Sequence, residues 1–170
     1  MTKVFIDGSQ GTTGLKIFDR LKKRDDIELI TVPDELRKDA AARKQAICDA
    51  DIAFLCLPDA AAIEAANLAS DCDTVIIDTS TAHRTSDGWT YGFPEIFENG
   101  FEKISSSKRI ASPGCYASGF IALVKPLIDS NIVSPDCNFY CHAMSGYSGA
   151  GKKGIALYEN DEIPLELCSP

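Results

Sequence analysis

The stretch KVFIDGSQGTTGLKIFDRLKKR, residues 3–24, decides the fold. Its opening, KVFID (3–7), reads as a buried strand, and TTGLKIFDRLKKR reads as a helix because Leu15, Phe18 and Leu21 recur at helical spacing. Between them Gly8, Gly11 and Gly14 stand at G-x-x-G-x-x-G spacing. A tight strand-to-helix turn demands backbone dihedrals that glycine adopts freely, and a side chain there would hold an anionic ligand away from the helix N-terminus. Strand, glycine turn and helix in this order predict a dinucleotide-binding loop, with the pyrophosphate seated on the N–H groups that open the helix.

The alternation continues outward from this unit. IELITV (27–32) predicts a second strand, ELRKDAAARKQAICDA (35–50) a helix and DIAFLCLP (51–58) a third strand. Asp59 stands where a helix N-cap is expected, ahead of the alanine-rich AAAIEAANLAS (60–70). TVIIDTS (74–80) and the short RIAS (109–112) supply a fourth and a fifth strand. Strands alternating with helices predict an α/β fold, a doubly wound parallel sheet of Rossmann-like type with right-handed crossovers and helices on both faces. Residues 1–134 are thus read as a dinucleotide-binding domain. In CNFYCHAMSGYSGAGKKG (137–154) the pattern changes to a longer strand running into a glycine-rich loop, so residues 135–170 are read as the beginning of a second, α+β domain that stops in mid-pattern.

Composition narrows the possible partners. With 45% apolar and 25% charged residues, a chain of 170 can bury a core of ordinary size. A net charge of −8 disfavours nucleic acid and anionic membrane surfaces and leaves small molecules as the expected partners. No apolar run is long enough to span a bilayer. The seven cysteines are odd in number and scattered, with no signal peptide ahead of them, which points to a cytoplasmic protein without a disulfide framework. Cys48, Cys56 and Cys72 fall within predicted elements and read as core residues. Cys137, Cys141 and His142 match no zinc spacing, so no metal is expected.

Two further positions carry chemistry. Near the end of the second strand Asp34 would hold an adenosine ribose hydroxyl, whereas Arg37 and Lys38 would pair with a 2′-phosphate. The two cations tip the reading toward NADP, against the alternative that they form a solvated helix face. In RIASPGCYASGFIALVKPLI (109–128), Cys115 follows a strand and a Pro-Gly turn and heads an apolar helix. The partial positive charge of that terminus favours a thiolate, and Gly114 and Ala117 keep its surroundings open, so Cys115 reads as a nucleophile.

GSQGTTG, DTSTAHR, YGFPEI, SPGCYASG and SGYSGAGKKG, in that order, resemble the N-acetyl-γ-glutamyl-phosphate reductases, most closely their shorter bacterial branch, within the aspartate-semialdehyde dehydrogenase superfamily. The resemblance implies NADPH-dependent reduction of an acyl phosphate to a semialdehyde in arginine biosynthesis, through a thioester on Cys115. It further implies that Gly8, Ser9, Gly11, Thr12, Thr13 and Gly14 hold the cofactor. Ser148, Gly149 and Gly151 would lie near the nicotinamide, with Ser145 at the substrate, in a substrate and dimerisation domain that makes the full-length protein a homo-oligomer. Arg84, in the TAHRT segment, is the basic side chain suited to the substrate's phosphate or carboxylate, because its fork of donors fits either anion. The family's acid/base histidine is matched by neither His83 nor His142 and is expected after residue 170, so the isolated chain is expected to bind cofactor without turnover. An aspartate-semialdehyde dehydrogenase-like enzyme and a nucleotide-binding chain without catalysis remain alternatives.

Overall fold

The computed structural model describes residues 1–144 and 146–159. They form two compact units, the first Met1–Pro135 and the second the described residues of Asp136–Pro170. The first unit follows the expected alternation. Strand β1 (Thr2–Asp7) leads to helix α1 (Thr12–Leu21), β2 (Ile27–Ile30), α2 (Ala40–Cys48), β3 (Ile52–Leu55), α3 (Asp59–Leu68) and β4 (Val75–Asp78). After these come β5 (Thr90–Tyr91), α4 (Gly100–Ser105), β6 (Arg109–Ala111) and α5 (Cys115–Asp129). All strands are parallel, in the order β2-β1-β3-β4-β6-β5, and the helices flank the sheet. The chain moves outward from β1 in both directions, to β2 on one side and β3 on the other. Such a reversal opens a crevice at the carboxyl ends of the strands, where α/β sheets bind ligands.

The core lies between the sheet and helices α2 and α3. Ile47, Ala53, Leu55, Ala65, Ala69 and Ile76 are inaccessible to solvent and share one cluster with Phe5. Alanines dominate it, and their small side chains let α2 and α3 lie close together. On α1 the buried residue is Gly14, while Leu15, expected inward, is half exposed.

The structure corrects several local expectations. Helix α2 starts at Ala40, not residue 35, because Asp39 caps it by accepting from Ala42 N–H at 2.8 Å, and Asp34–Leu36 form a separate 3-10 turn. Asp59 lies inside the first turn of α3 behind Pro58, its carboxylate turned toward the loop after β4. The two-residue β5 had no legible signal. Residues 137–144, expected to run as a strand, are exposed and form none among the described residues. Cys48 and Cys72, read as core thiols, are joined in a disulfide, because α2 and α3 run side by side and bring their ends to a Cα separation of 5.1 Å.

The central strand should tolerate truncation poorly. Leu55→Ala in β3 is expected to cost about 2–5 kcal/mol, whereas Phe101→Ala on the exposed side of α4 should change stability by less than about 0.5 kcal/mol. Urea unfolding of both variants measures this, and equal losses would contradict the assigned core.

Candidate active site

At the carboxyl end of β1 the backbone turns through Gly8 at φ +85°. A Cβ on Gly8 would strike the carbonyl oxygen of Cys56, which follows β3, and one on Gly14 would strike the carbonyl of Gly8. Gly11 donates its N–H to Gly8 O at 2.9 Å and then serves as the N-cap of α1. Having no side chain, it leaves the first N–H groups of the helix without a side-chain cap. Thr12 and Thr13 occupy that first turn and are exposed.

Beside the loop lies a cavity of about 160 Å³, lined among others by Gly8, Ser9, Asp34 and Arg37. Arg37 Nε is 3.2 Å from Asp34 Oδ1, close enough for an ion pair. It lies off the hydrogen-bond line, so among the described residues this buried nitrogen has no hydrogen-bond partner. Lys38, next in sequence, is exposed and does not line the cavity. The glycine cradle, the uncapped helix start and an arginine with an unused donor fit a phosphorylated dinucleotide. Two polar residues of this cavity were missed from sequence: Asp7, the last residue of β1, and Arg43 of α2, which form a buried ion pair of 2.9 Å. A signal existed, since Arg43, Ala46, Ile47 and Ala50 share one helical face and the other three are apolar.

A second set of residues gathers at the carboxyl ends of β4 and β6. Asp78, wholly buried, accepts hydrogen bonds from Ser80 N–H at 2.9 Å and Ser80 Oγ at 2.6 Å. His83 Nδ1 lies 2.7 Å from Asp78 Oδ2, the oxygen that also accepts from Ser80 Oγ, and the His83 ring stacks on Trp89 with centroids 3.9 Å apart. From the start of α3, Asp59 accepts the N–H and hydroxyl of Thr81, and these bonds, the hydroxyl first, hold its carboxyl below the usual range. The loop is thereby pinned from two directions. It delivers Arg84, whose Nε donates to Ser112 O at 3.1 Å, and whose guanidinium fills the space beside Gly114 that a Cβ would occupy.

Gly114 is the N-cap of α5, again without a capping side chain, and Cys115 is the first residue of that helix. Its thiol is exposed. The structure thus brings Arg84 against Gly114, the residue before the exposed Cys115 at a helix start. Burial pushes the Cys56 thiol up to about 11, with the carboxylates of Asp7 and Asp78 adding to the effect.

The remaining expected residues lie in the second unit. Ser148 and Gly149 fall in the 3-10 turn Tyr147–Ala150, and Gly151 begins α6 (Gly151–Glu159). Within that unit Tyr147 donates its hydroxyl to Glu159 at 2.8 Å, which raises the phenol pKa. Ser145 lies outside the described residues. His142 is exposed, also in the second unit.

Comparison with known proteins agrees with this geometry. Residues 34–104 match the family described as semialdehyde dehydrogenase, NAD binding domain, and residues 115–165 match semialdehyde dehydrogenase, dimerisation domain. The chain is 49% identical over 156 residues to N-acetyl-gamma-glutamyl-phosphate reductase 2 of Pseudomonas putida, covering 92% of this chain and 50% of that protein. It is 48% identical over 158 residues to the protein of the same name from a Nostoc species, covering 93% and 49%. The chain therefore spans about half the length of the curated relatives it matches. Among solved structures, aspartate semialdehyde dehydrogenase from Francisella tularensis shares the fold with a TM-score of 0.64 at 17% identity, over 98% of this chain and 52% of that one. Two consecutive matches, which together take in most of the chain, show that it belongs to the semialdehyde dehydrogenase family, within which it is similar to proteins named N-acetyl-gamma-glutamyl-phosphate reductase.

Proposed function

We propose that this chain carries the cofactor site and the nucleophile of an NADPH-dependent reductase that converts N-acetyl-γ-glutamyl phosphate to N-acetylglutamate semialdehyde and phosphate. The observation that carries the reading is the seating of the Arg84 guanidinium against Gly114, one residue before the exposed Cys115. In this reading residues 1–134 form the cofactor domain, and residues 135–170, with Ser145, Ser148, Gly149 and Gly151, begin the substrate and dimerisation domain.

The proposed chemistry follows from the parts. Arg84 takes a phosphate or carboxylate oxygen of the substrate and aligns the acyl carbon with Cys115 Sγ. The thiolate attacks that carbon, the C–O bond to phosphate breaks, and a thioester forms with phosphate as the leaving group. N–H groups in the first turn of α5 stabilise the tetrahedral oxyanion, since the Gly114 cap leaves them without a side-chain partner. Bound NADPH supplies the hydride that reduces the thioester to the aldehyde and returns the cysteine. Gly8, Ser9, Gly11, Thr12, Thr13 and Gly14 form its pyrophosphate loop, and Arg37 is the contact for the 2′-phosphate.

The match to a dimerisation domain beginning at Cys115, together with the exposed Tyr116, Leu123, Leu127 and Ile132, supports a homo-oligomer. No described helix is long and apolar enough to cross a membrane. In the reducing cytoplasm proposed for it, the Cys48–Cys72 bond would be open to reduction through the exposed Cys48.

Cys115 should alkylate with iodoacetamide at neutral pH before any other free cysteine, and Cys56 should stay unmodified until far more alkaline pH. Peptide mapping decides this, and uniform labelling would count against the nucleophile. In a chain of the relatives' full length, Cys115→Ser should abolish reduction of N-acetyl-γ-glutamyl phosphate, with β-aspartyl phosphate as the competing substrate in the same assay. Arg37→Ala should weaken NADPH binding by about 1–3 kcal/mol and leave NADH nearly unchanged, while Lys38→Ala should do little. Equal losses for both cofactors, read by fluorescence titration, would reject Arg37 as the 2′-phosphate contact.

A further inference from the structure

Asp7 is an unusual residue to find at the foot of a loop meant for phosphate. It closes β1 immediately before Gly8, is almost wholly buried, and lines the same cavity as Gly8, Ser9 and Arg37. The Gly8 N–H favours the charged form of this carboxyl, though less than Arg43 does. The charge on that carboxylate would repel a pyrophosphate, and a protein interior screens such repulsion poorly.

Arg43 answers that charge. It reaches across from α2 and donates from Nε at 3.0 Å and from Nη2 at 2.9 Å to the same oxygen, Asp7 Oδ2. Its Nη1 donates at 3.2 Å to Glu64 Oε1 of α3, a carboxylate on an exposed side chain. Burial pushes the Asp7 carboxyl upward, and the hydrogen bond and charge of Arg43 act against that push. The geometry points to Arg43 as a positioning residue for the dinucleotide, one that cancels the Asp7 charge so that the loop Gly8–Gly14 keeps its shape and accepts an anionic pyrophosphate. The inference rests on the cofactor reading above and adds a division of labour. Arg37 serves the 2′-phosphate found only in NADPH, whereas Arg43 acts on the pyrophosphate common to NADPH and NADH.

The test titrates NADPH and NADH into the 170-residue chain and three variants, with thermal unfolding as a check on folding. Arg43→Met should weaken both cofactors by about tenfold or more, because it leaves a buried carboxylate without its countercharge. The double variant Asp7→Asn with Arg43→Met has neither charge and should recover binding to within about threefold of the parent chain. Asp7→Asn alone removes the charge at nearly unchanged side-chain volume and should bind both cofactors as tightly as the parent or more tightly. Unchanged binding in Arg43→Met, a loss confined to NADPH, or a double variant as weak as Arg43→Met would each overturn the inference. If Arg43→Met does not fold, Asp7→Asn decides, since weaker binding there would mean that Asp7 serves the ligand directly. A parent chain that binds neither NADPH nor NADH would overturn the cofactor reading itself, and this inference with it.

Discussion

The first unit depends on a single close approach of backbone to backbone. Strands β1 and β3 pair in parallel register, Asp7 opposite Leu55, so both end at the same level. The Cys56 N–H then donates to Asp7 O at 2.8 Å, which keeps the two chains together one residue beyond the ladder. The turn leaving β1 must therefore pass over the backbone leaving β3, and only a residue without a side chain can stand there. Gly8 does so, and Gly14 lets α1 settle against the turn in the same way. The start of α1 against the turn and the cavity beside it follow from these two absences of a Cβ.

The other half of the crevice is built by polar means. Between β4 and β5 the backbone makes no ladder, and carboxylates take over the role of neighbouring strands. Asp78 satisfies Ser80 and His83 from beneath, Asp59 holds Thr81 from the side, and Thr79 Oγ1 donates to Leu55 O at 3.0 Å. A buried carboxylate with several donors is costly to desolvate and expensive to disturb, so it specifies one loop conformation more sharply than apolar packing does. That precision matters at Arg84, a long side chain whose position would otherwise be left to its rotamers.

The fold class was legible because it rests on periodicity. Runs such as FLCL and VIID recur between helical patterns, and a parallel sheet buries its strands on both faces, so the signal stands out even in short strands. The turns Gly8–Gly14 and Pro113–Cys115 were legible because glycine and proline have few reasons to occur together with such neighbours. What escaped were interactions between side chains far apart in the chain. The Asp7–Arg43 pair spans 36 residues and the Thr81–Asp59 clamp 22, and no local pattern encodes either. The Cys48–Cys72 pairing escaped for the same reason, because it depends on how two helices align. The expected strand at 137–144 failed differently: its alternation of residue types is real, but among the described residues no strand forms there.

The register of β1 also governs the order in which the chain can assemble. Val4 faces Ile52 across the sheet, so the central strand gains its second neighbour only after some fifty residues of intervening chain have been gathered in. The first available pairing, Thr2 with Ile27, is shorter in range but leaves the other edge of β1 open. Closing long loops before any non-local contact is rewarded slows folding. A nascent chain released from the ribosome before β3 emerges would carry β1 as an unpaired, apolar edge, the kind of surface that invites intermolecular strand addition. For this sheet, the vulnerable interval is thus set by the distance along the chain between its first strand and its third.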